Sequence, residues 1–183
     1  ADYLVQSGHD VTVFDLFIYG EDVFEYPEKI NCVKGDIRDY EKFNTTVKNH
    51  EIVIHLACIS NDPSFEMNPK LGKSINLDAF EPMVKSSINN GVRRFIYASS
   101  SSGYGIKEEK EVNEEMSLEP LTDYSKFKVD CEKILMKYKS DNFETSIIRP
   151  ATVCGYSKRQ RLDVIVNILT NHAVTNNLIK VFG

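Results

Sequence analysis

The order in which apolar runs and amphipathic stretches alternate constrains this chain most. EIVIHLA (51–57) is a continuous apolar run. That is the pattern of a strand buried on both faces of a parallel sheet. VTVFD (11–15), NCVKGD (31–36), RRFIYASS (93–100) and ETSIIRPA (144–151) read as further strands. Between and after them, helical patterns are predicted over 39–49, 70–90, 122–140 and 162–175. The 70–90 helix would begin after Pro69 and stop at Gly91. Strands alternating with helices give β-α-β units, so the expected fold class is α/β with a doubly wound parallel sheet. Ligands of such sheets bind at the carboxyl ends of the strands.

The bulk properties narrow the function classes. A chain of 183 residues is one domain, or one domain and part of another. Its net charge of −5 argues against a sequence-independent nucleic-acid binder, which needs a basic face. No apolar run approaches the roughly 18 residues of a membrane span. Cys32, Cys58, Cys131 and Cys154 are widely spaced and form no C-x-x-C, which fits buried reduced thiols in a cytoplasmic protein. Neither cysteines nor histidines show metal-ligand spacing, so no metal is expected. Residues 1–8 read as the second half of an amphipathic helix capped by Gly8, and LIKVFG (178–183) as a strand cut short. The expectation is a fragment lacking both termini. KEEKEVNEE (107–115) reads as a solvated loop.

Several strand ends carry polar or small residues. Asp15 ends VTVFD, where a carboxylate accepts from both ribose hydroxyls of an adenine nucleotide. It would repel a 2′-phosphate, and LFIYGED supplies no arginine, which favours NAD over NADP. Asp36 in GDIRD could accept the adenine amino group while the Ile37 backbone pairs with the ring; it equally fits a turn carboxylate, with Asp39 the better helix cap. Leu56, Ala57 and Cys58 end the central strand, and small side chains there let a cofactor approach the backbone. Four serines in ASSSSGYG (98–105) make a poor core and a good hydrogen-bonding floor.

TDYSKFK (122–128) places Tyr124 and Lys128 one helical turn apart. With nine tyrosines and sixteen lysines in the chain, chance alone could supply that spacing, so the surroundings decide. Thr122 fits an N-cap, and Phe127, Cys131, Ile134, Leu135 and Tyr138 form an apolar stripe with the pair on its edge. A phenol, with an ordinary pKa of about 10, is a poor base at neutral pH. A neighbouring ammonium favours its phenolate.

Asp15, GDIRD, HLAC, Asn76, FIYASSSSGYG, DYSKFK and IIRPATVCGY, in this order and spacing, resemble the extended short-chain dehydrogenase/reductases. Within them the likeness is to the NAD-dependent epimerase/dehydratase family, and to its nucleotide-sugar epimerases of the UDP-glucose 4-epimerase type. The resemblance covers essentially the whole chain and implies a Rossmann-like NAD-binding fold over residues 1–155. Residues 156–183 would begin an incomplete substrate-binding region. It implies Ser100, Tyr124 and Lys128 as the catalytic set. Asp15, Asp36, Ile37, Leu56, Ala57, Cys58, Asn76, Tyr124, Lys128 and Pro150 would bind NAD. Ser100, Ser101, Thr152 and Arg161 would face a nucleotide-sugar substrate, although Arg161 equally fits a solvated cation before a helix. It further implies a homodimer packed through the 70–90 and 122–140 helices.

Four departures qualify the resemblance. The family's glycine-rich loop is absent, and Gly103-Tyr104-Gly105 opens no helix to replace it. A fragment ending at Gly183 would also lack the family's C-terminal substrate domain. Ser101 and Ser102 stand where the 4,6-dehydratases carry an Asp-Glu pair. Cys154-Gly155-Tyr156 replaces the common Tyr-Gly-Pro. The expected reaction is epimerisation of a nucleotide sugar through a transient keto intermediate. The alternatives are a dehydrogenase or keto-reductase of the same fold and a non-catalytic NAD-binding regulator.

Overall fold

Hydrogen bonding between the strands is where the predicted α/β order becomes a structure. The computed structural model describes residues 1–60 and 62–180. In chain order the elements are α1 (Asp2–Gln6), β1 (Val11–Asp15), β2 (Ile30–Lys34), α2 (Tyr40–Thr46), β3 (Ile52–His55), α3 (Asp62–Glu66) and α4 (Pro69–Lys73). A π turn (Ser74–Asp78) leads into α5 (Phe80–Asn89), followed by β4 (Arg94–Ala98), α6 (Asp123–Lys137), β5 (Glu144–Ile148) and α7 (Ile165–Asn176). Strands β3, β4 and β5 form one sheet in that order, and β1 and β2 form a second. Both pairings in the three-stranded sheet are parallel, with Val53 opposite Phe95 and Phe95 opposite Thr145. Parallel neighbours require helical crossovers, which α5 and α6 supply. The architecture is the α/β, Rossmann-like one expected.

Two compact units divide the chain. One holds residues 13–16 and 32–150; the other holds 1–12, 17–31 and 151–183. In the first, alternation along the strands puts Val53 and His55, Phe95 and Tyr97, and Thr145 and Ile147 on one face. Helix α5 brings Phe80, Met83 and Val84 against this face, and α6 brings Cys131 and Leu135. Phe80 and Phe95 are fully buried, worth about 2–3 kcal/mol each by the area they remove from water. Their rings meet edge to face at 5.9 Å, and Phe80 lies 4.7 Å from Tyr97.

The other face of the sheet corrects one expectation. Ile52 is 46% and Ile54 43% exposed, so EIVIHLA is not buried on both sides. β3 is an edge strand of its sheet, and among the described residues the main buried cluster of its unit packs on the His55 face. The expected 70–90 helix is also broken: it is α4, the π turn and α5 in succession, opened by Asn68, whose side chain accepts from Leu71 N at 3.1 Å. Asp39 caps α2 as anticipated, accepting from Lys42 N at 3.0 Å. Of the cysteines, all free, only Cys131 is buried; Cys154 is exposed.

In the second unit, Asp2 accepts from the backbone of Glu25 at 2.8 Å and Tyr26 at 3.1 Å, and Lys158 Nζ donates to Phe24 O at 2.6 Å. Arg159 lies over the Tyr19 ring at 3.8 Å. Gly8 takes φ +85° after α1, the conformation its capping role requires. Of the strand expected over 178–183, residues 181–183 lie outside the described residues and 178–180 are not a strand. No described helix is long and apolar enough to cross a membrane.

Candidate active site

The start of α6 is fixed by its own first residues. Thr122 Oγ1 accepts from Ser125 N at 3.2 Å, and Ser125 Oγ accepts from Thr122 N at 3.1 Å. This reciprocal cap sets the phase of the helix two residues before Tyr124. Lys128, one turn on, is 4% exposed. Its ammonium donates to Ala98 O at 2.7 Å and lies 5.1 Å from the Tyr97 ring centre and 5.8 Å from that of Tyr124. A buried cation beside two phenol rings and a carbonyl is what a lysine supporting a tyrosine base requires. Burial, with a further push from the Lys128 charge, lowers His55 to about 3, and burial raises Cys131 to about 12.

The end of β4 brings the serines to the same place. Ser100, two residues after the carbonyl that holds Lys128, opens the 3-10 turn Ser101–Tyr104. Its Oγ accepts from Ser102 N at 3.2 Å and Ser102 Oγ at 2.8 Å. Both bonds use its lone pairs, which leaves the Ser100 proton as a donor for a ligand oxygen. Ser99 N donates to Ile148 O at 2.8 Å and Ser101 N to Pro150 O at 3.1 Å, so Ser101 and Pro150 share the joined ends of β4 and β5. Gly105 completes the turn at φ +73°; a Cβ there would stand 2.2 Å from Glu119 O.

The expected cofactor residues also collect at carboxyl ends. Asp15 ends β1 and is exposed; Gly35 N donates to its carbonyl at 2.8 Å, holding the ends of β1 and β2 together. A Cβ on Gly35 would lie 2.4 Å from Phe14. Asp36 is engaged by Arg38, with Nε at 2.9 Å, Nη2 at 2.5 Å and the backbone N at 2.9 Å. The Arg38 fork holds this carboxyl below the usual range. The half-buried Ile37 packs against the core. Leu56 is 67% exposed, and the half-buried Ala57 and Cys58 follow it.

Asn76 is buried and points inward to the backbone: Ile59 N donates to its Oδ1 at 2.8 Å, and its Nδ2 donates to Ile59 O at 2.9 Å. It therefore shapes the segment after β3. Its own carbonyl, in the π turn, accepts from the Cys131 thiol at 3.1 Å. Thr152 and Arg161 belong to the other unit. Thr152 is exposed, and Arg161 pairs with Asp163 at 2.7 Å.

A group that sequence reasoning passed over is Glu132. It is buried on α6 and joins Ser99, Arg149 and, through Arg149, Tyr104. A charged residue one turn beyond Lys128, on the edge of the apolar stripe, was the available signal.

The strand ends carry groups that suit an adenine dinucleotide: the exposed Asp15 carboxylate for hydroxyl donors, the exposed apolar end at Leu56, and Lys128 and Ser100 near one another at the end of β4. The chain is also similar to known proteins. A UDP-glucose 4-epimerase of Lactobacillus helveticus is 27% identical over 157 residues, 84% of this chain and 47% of that protein. An uncharacterized UDP-glucose epimerase of Bacillus subtilis is 31% identical over 137 residues, 73% of this chain and 42% of its own. Among solved structures, a UDP-N-acetylglucosamine 4-epimerase from Methanobrevibacter ruminantium superposes with a TM-score of 0.85 at 23% identity, over 96% of this chain and 58% of that one. The chain thus spans less than half the length of these curated relatives. With the model of the NAD dependent epimerase/dehydratase family matching residues 1–183, and a half-buried Tyr124 one helical turn from the buried Lys128, the chain belongs to that NAD-dependent family.

Proposed function

We propose that the full-length protein epimerises a nucleotide-linked sugar through a transient keto intermediate. The observation that carries this is the placement of Lys128: buried, 5.8 Å from the Tyr124 ring, and bonded to Ala98 two residues before Ser100. NAD, when bound, supplies a reversible hydride store. Tyr124 takes the proton of the sugar hydroxyl that is oxidised and later returns it. Lys128 favours the phenolate form and would hold a ribose hydroxyl. Ser100 donates to the same sugar oxygen. Asp15 would hold the adenine ribose, Asp36 and Ile37 the adenine, Leu56 to Cys58 the phosphates, and Pro150 the nicotinamide side. Asn76 supports them through the backbone.

Ser101, Thr152 and Arg161 are assigned to the substrate. Serines at 101 and 102 lack the carboxylates that a 4,6-elimination of water uses, which supports epimerisation. Residues 1–155 form the NAD-binding domain in this reading and 156–183 begin the substrate region. A homodimer belongs to the same reading, and the four free thiols support a cytoplasmic setting.

The test is turnover of a panel of UDP-sugars by the full-length protein. Product should form with no net change in absorbance at 340 nm. Tyr124→Phe should lower kcat by at least a hundredfold while NAD remains bound. Stoichiometric reduction of NAD would instead identify a dehydrogenase, and near-normal turnover of the variant would remove Tyr124 from the mechanism.

A further inference from the structure

Helix α6 presents polar side chains at three successive turns, Tyr124, Lys128 and Glu132. Residues four apart share a face. The Glu132 side chain is 5% exposed, and a carboxylate that deep is costly unless paired and hydrogen-bonded. Arg149 pairs it as a fork, Nε to Oε1 at 3.0 Å and Nη2 to Oε2 at 2.7 Å. The Ser99 hydroxyl donates to Oε1. The remaining guanidinium nitrogen, Nη1, donates to Tyr104 Oη at 2.9 Å, and the Tyr104 ring lies 5.1 Å from the guanidinium carbon. The Glu132 bond holds Arg149 charged, with its pKa above the ordinary value. Ser99 precedes Ser100 and Arg149 precedes Pro150. One carboxylate thus ties the helix bearing Tyr124 and Lys128 to both strand ends.

The same arrangement has an electrostatic side. Lysine and glutamate four apart on a helix attract one another. Were Arg149 absent, the cation one turn from the buried Glu132 carboxylate would be Lys128. With Arg149 present, the Lys128 ammonium stays on Ala98 O and beside the Tyr124 ring. We propose that Glu132 and Arg149 are positioning residues whose ion pair fixes the β4 and β5 ends on α6 and keeps Glu132 from drawing Lys128 away from Tyr124. This rests on the reading of Tyr124 and Lys128 as the acid–base pair.

The other ionisable groups around the pair do not share this role. His55 from β3 and Cys131 from α6 are uncharged between pH 6 and 9, at about 3 and about 12, and burial raises Tyr97 of β4 above its ordinary range. Asp130 is paired with Lys133 at 2.9 Å, and Asp78 of the π turn with Lys73 at 2.5 Å. α3 carries Asp62 and Glu66. Cys58 lies within electrostatic reach of Tyr97.

The experiment follows kcat/KM against pH for the NAD-loaded full-length protein and its Arg149→Met, Glu132→Gln and double variants. Arg149→Met should move the acid limb to higher pH by about one unit, because a neighbouring carboxylate then competes for the ammonium. Glu132→Gln should move it the other way, leaving an uncompensated guanidinium. The double variant, carrying neither charge, should restore the parent limb. A ¹³C-tyrosine resonance assigned by its loss in Tyr124→Phe should titrate with the same displacements, independently of turnover. Variants that lower Tm and kcat but leave limb and resonance unmoved overturn the proposal. If Arg149→Met does not fold, Glu132→Gln decides, since Arg149 is 18% exposed and keeps water and Tyr104 as partners. Normal turnover in Tyr124→Phe overturns the acid–base reading and this inference with it; an inactive Tyr124→Phe with an unmoved limb in Glu132→Gln overturns this inference alone.

Discussion

Replacing His55 with phenylalanine should flatten the pH dependence of stability. The imidazole stacks on Tyr97 at 5.7 Å and 13°, with Phe80 at 5.5 Å and Phe95 at 6.2 Å. Its folded pKa of about 3 lies below the ordinary 6.5, first through burial and then through Lys128. Between these values the unfolded chain binds a proton that the folded chain refuses. Stability contributed by the neutral ring is therefore fully present above about pH 6.5 and declines as pH falls towards 3. At pH 5 the gap from the unfolded pKa is about 1.5 units, or about 2 kcal/mol. Phenylalanine keeps the ring stacking and cannot titrate. Urea unfolding of the full-length protein at pH 7 and pH 5 measures the loss. The parent should lose about 2 kcal/mol more than His55→Phe over that interval. Equal losses would show that the folded protein accommodates the imidazolium and that the His55 site is not closed to charge.

Two further substitutions test how the site is supported. Gly105→Ala should destabilise the protein by about 2 kcal/mol or more, since φ +73° and a 2.2 Å approach to Glu119 O both oppose a side chain; a Tm within 1 °C or so of the parent would contradict this. Asn76→Ala should cost about 2 kcal/mol by leaving Ile59 N and O without their partner, and should weaken NAD binding about tenfold in calorimetry. Unchanged affinity would separate Asn76 from the cofactor segment.

Local chemistry made part of this legible in advance. Asp39 and Thr122 announce their helices because a cap depends on a few neighbouring residues; four of the five strands fall within the predicted runs, and β2 begins one residue before its run, at Ile30. The exposure of Ile52 and Ile54 was hidden, because a strand's residues do not say whether a helix covers each face. Asp36 read as a ligand for adenine or a turn carboxylate; its capture by Arg38 is a rotamer choice that composition does not fix. SINLD looks like ordinary helix, and α3 went unread in a segment beginning Asp-Pro-Ser. Glu132 was hidden for a related reason: its partners lie 33 and 17 positions away along the chain.

The π turn at Ser74–Asp78 amounts to one residue more than a regular helix needs. Deleting a single residue there would let α4 run into α5 as an unbroken ladder. It would also swing the register by about 100°, one residue's share of an α-helical turn, and carry the Asn76 carboxamide off Ile59. Backbone regularity and the shape of the cofactor-side loop are therefore in opposition at this point. A selection for heat resistance alone would tend to smooth the turn away, and the variants it favoured would gain Tm while losing the loop that Asn76 now holds.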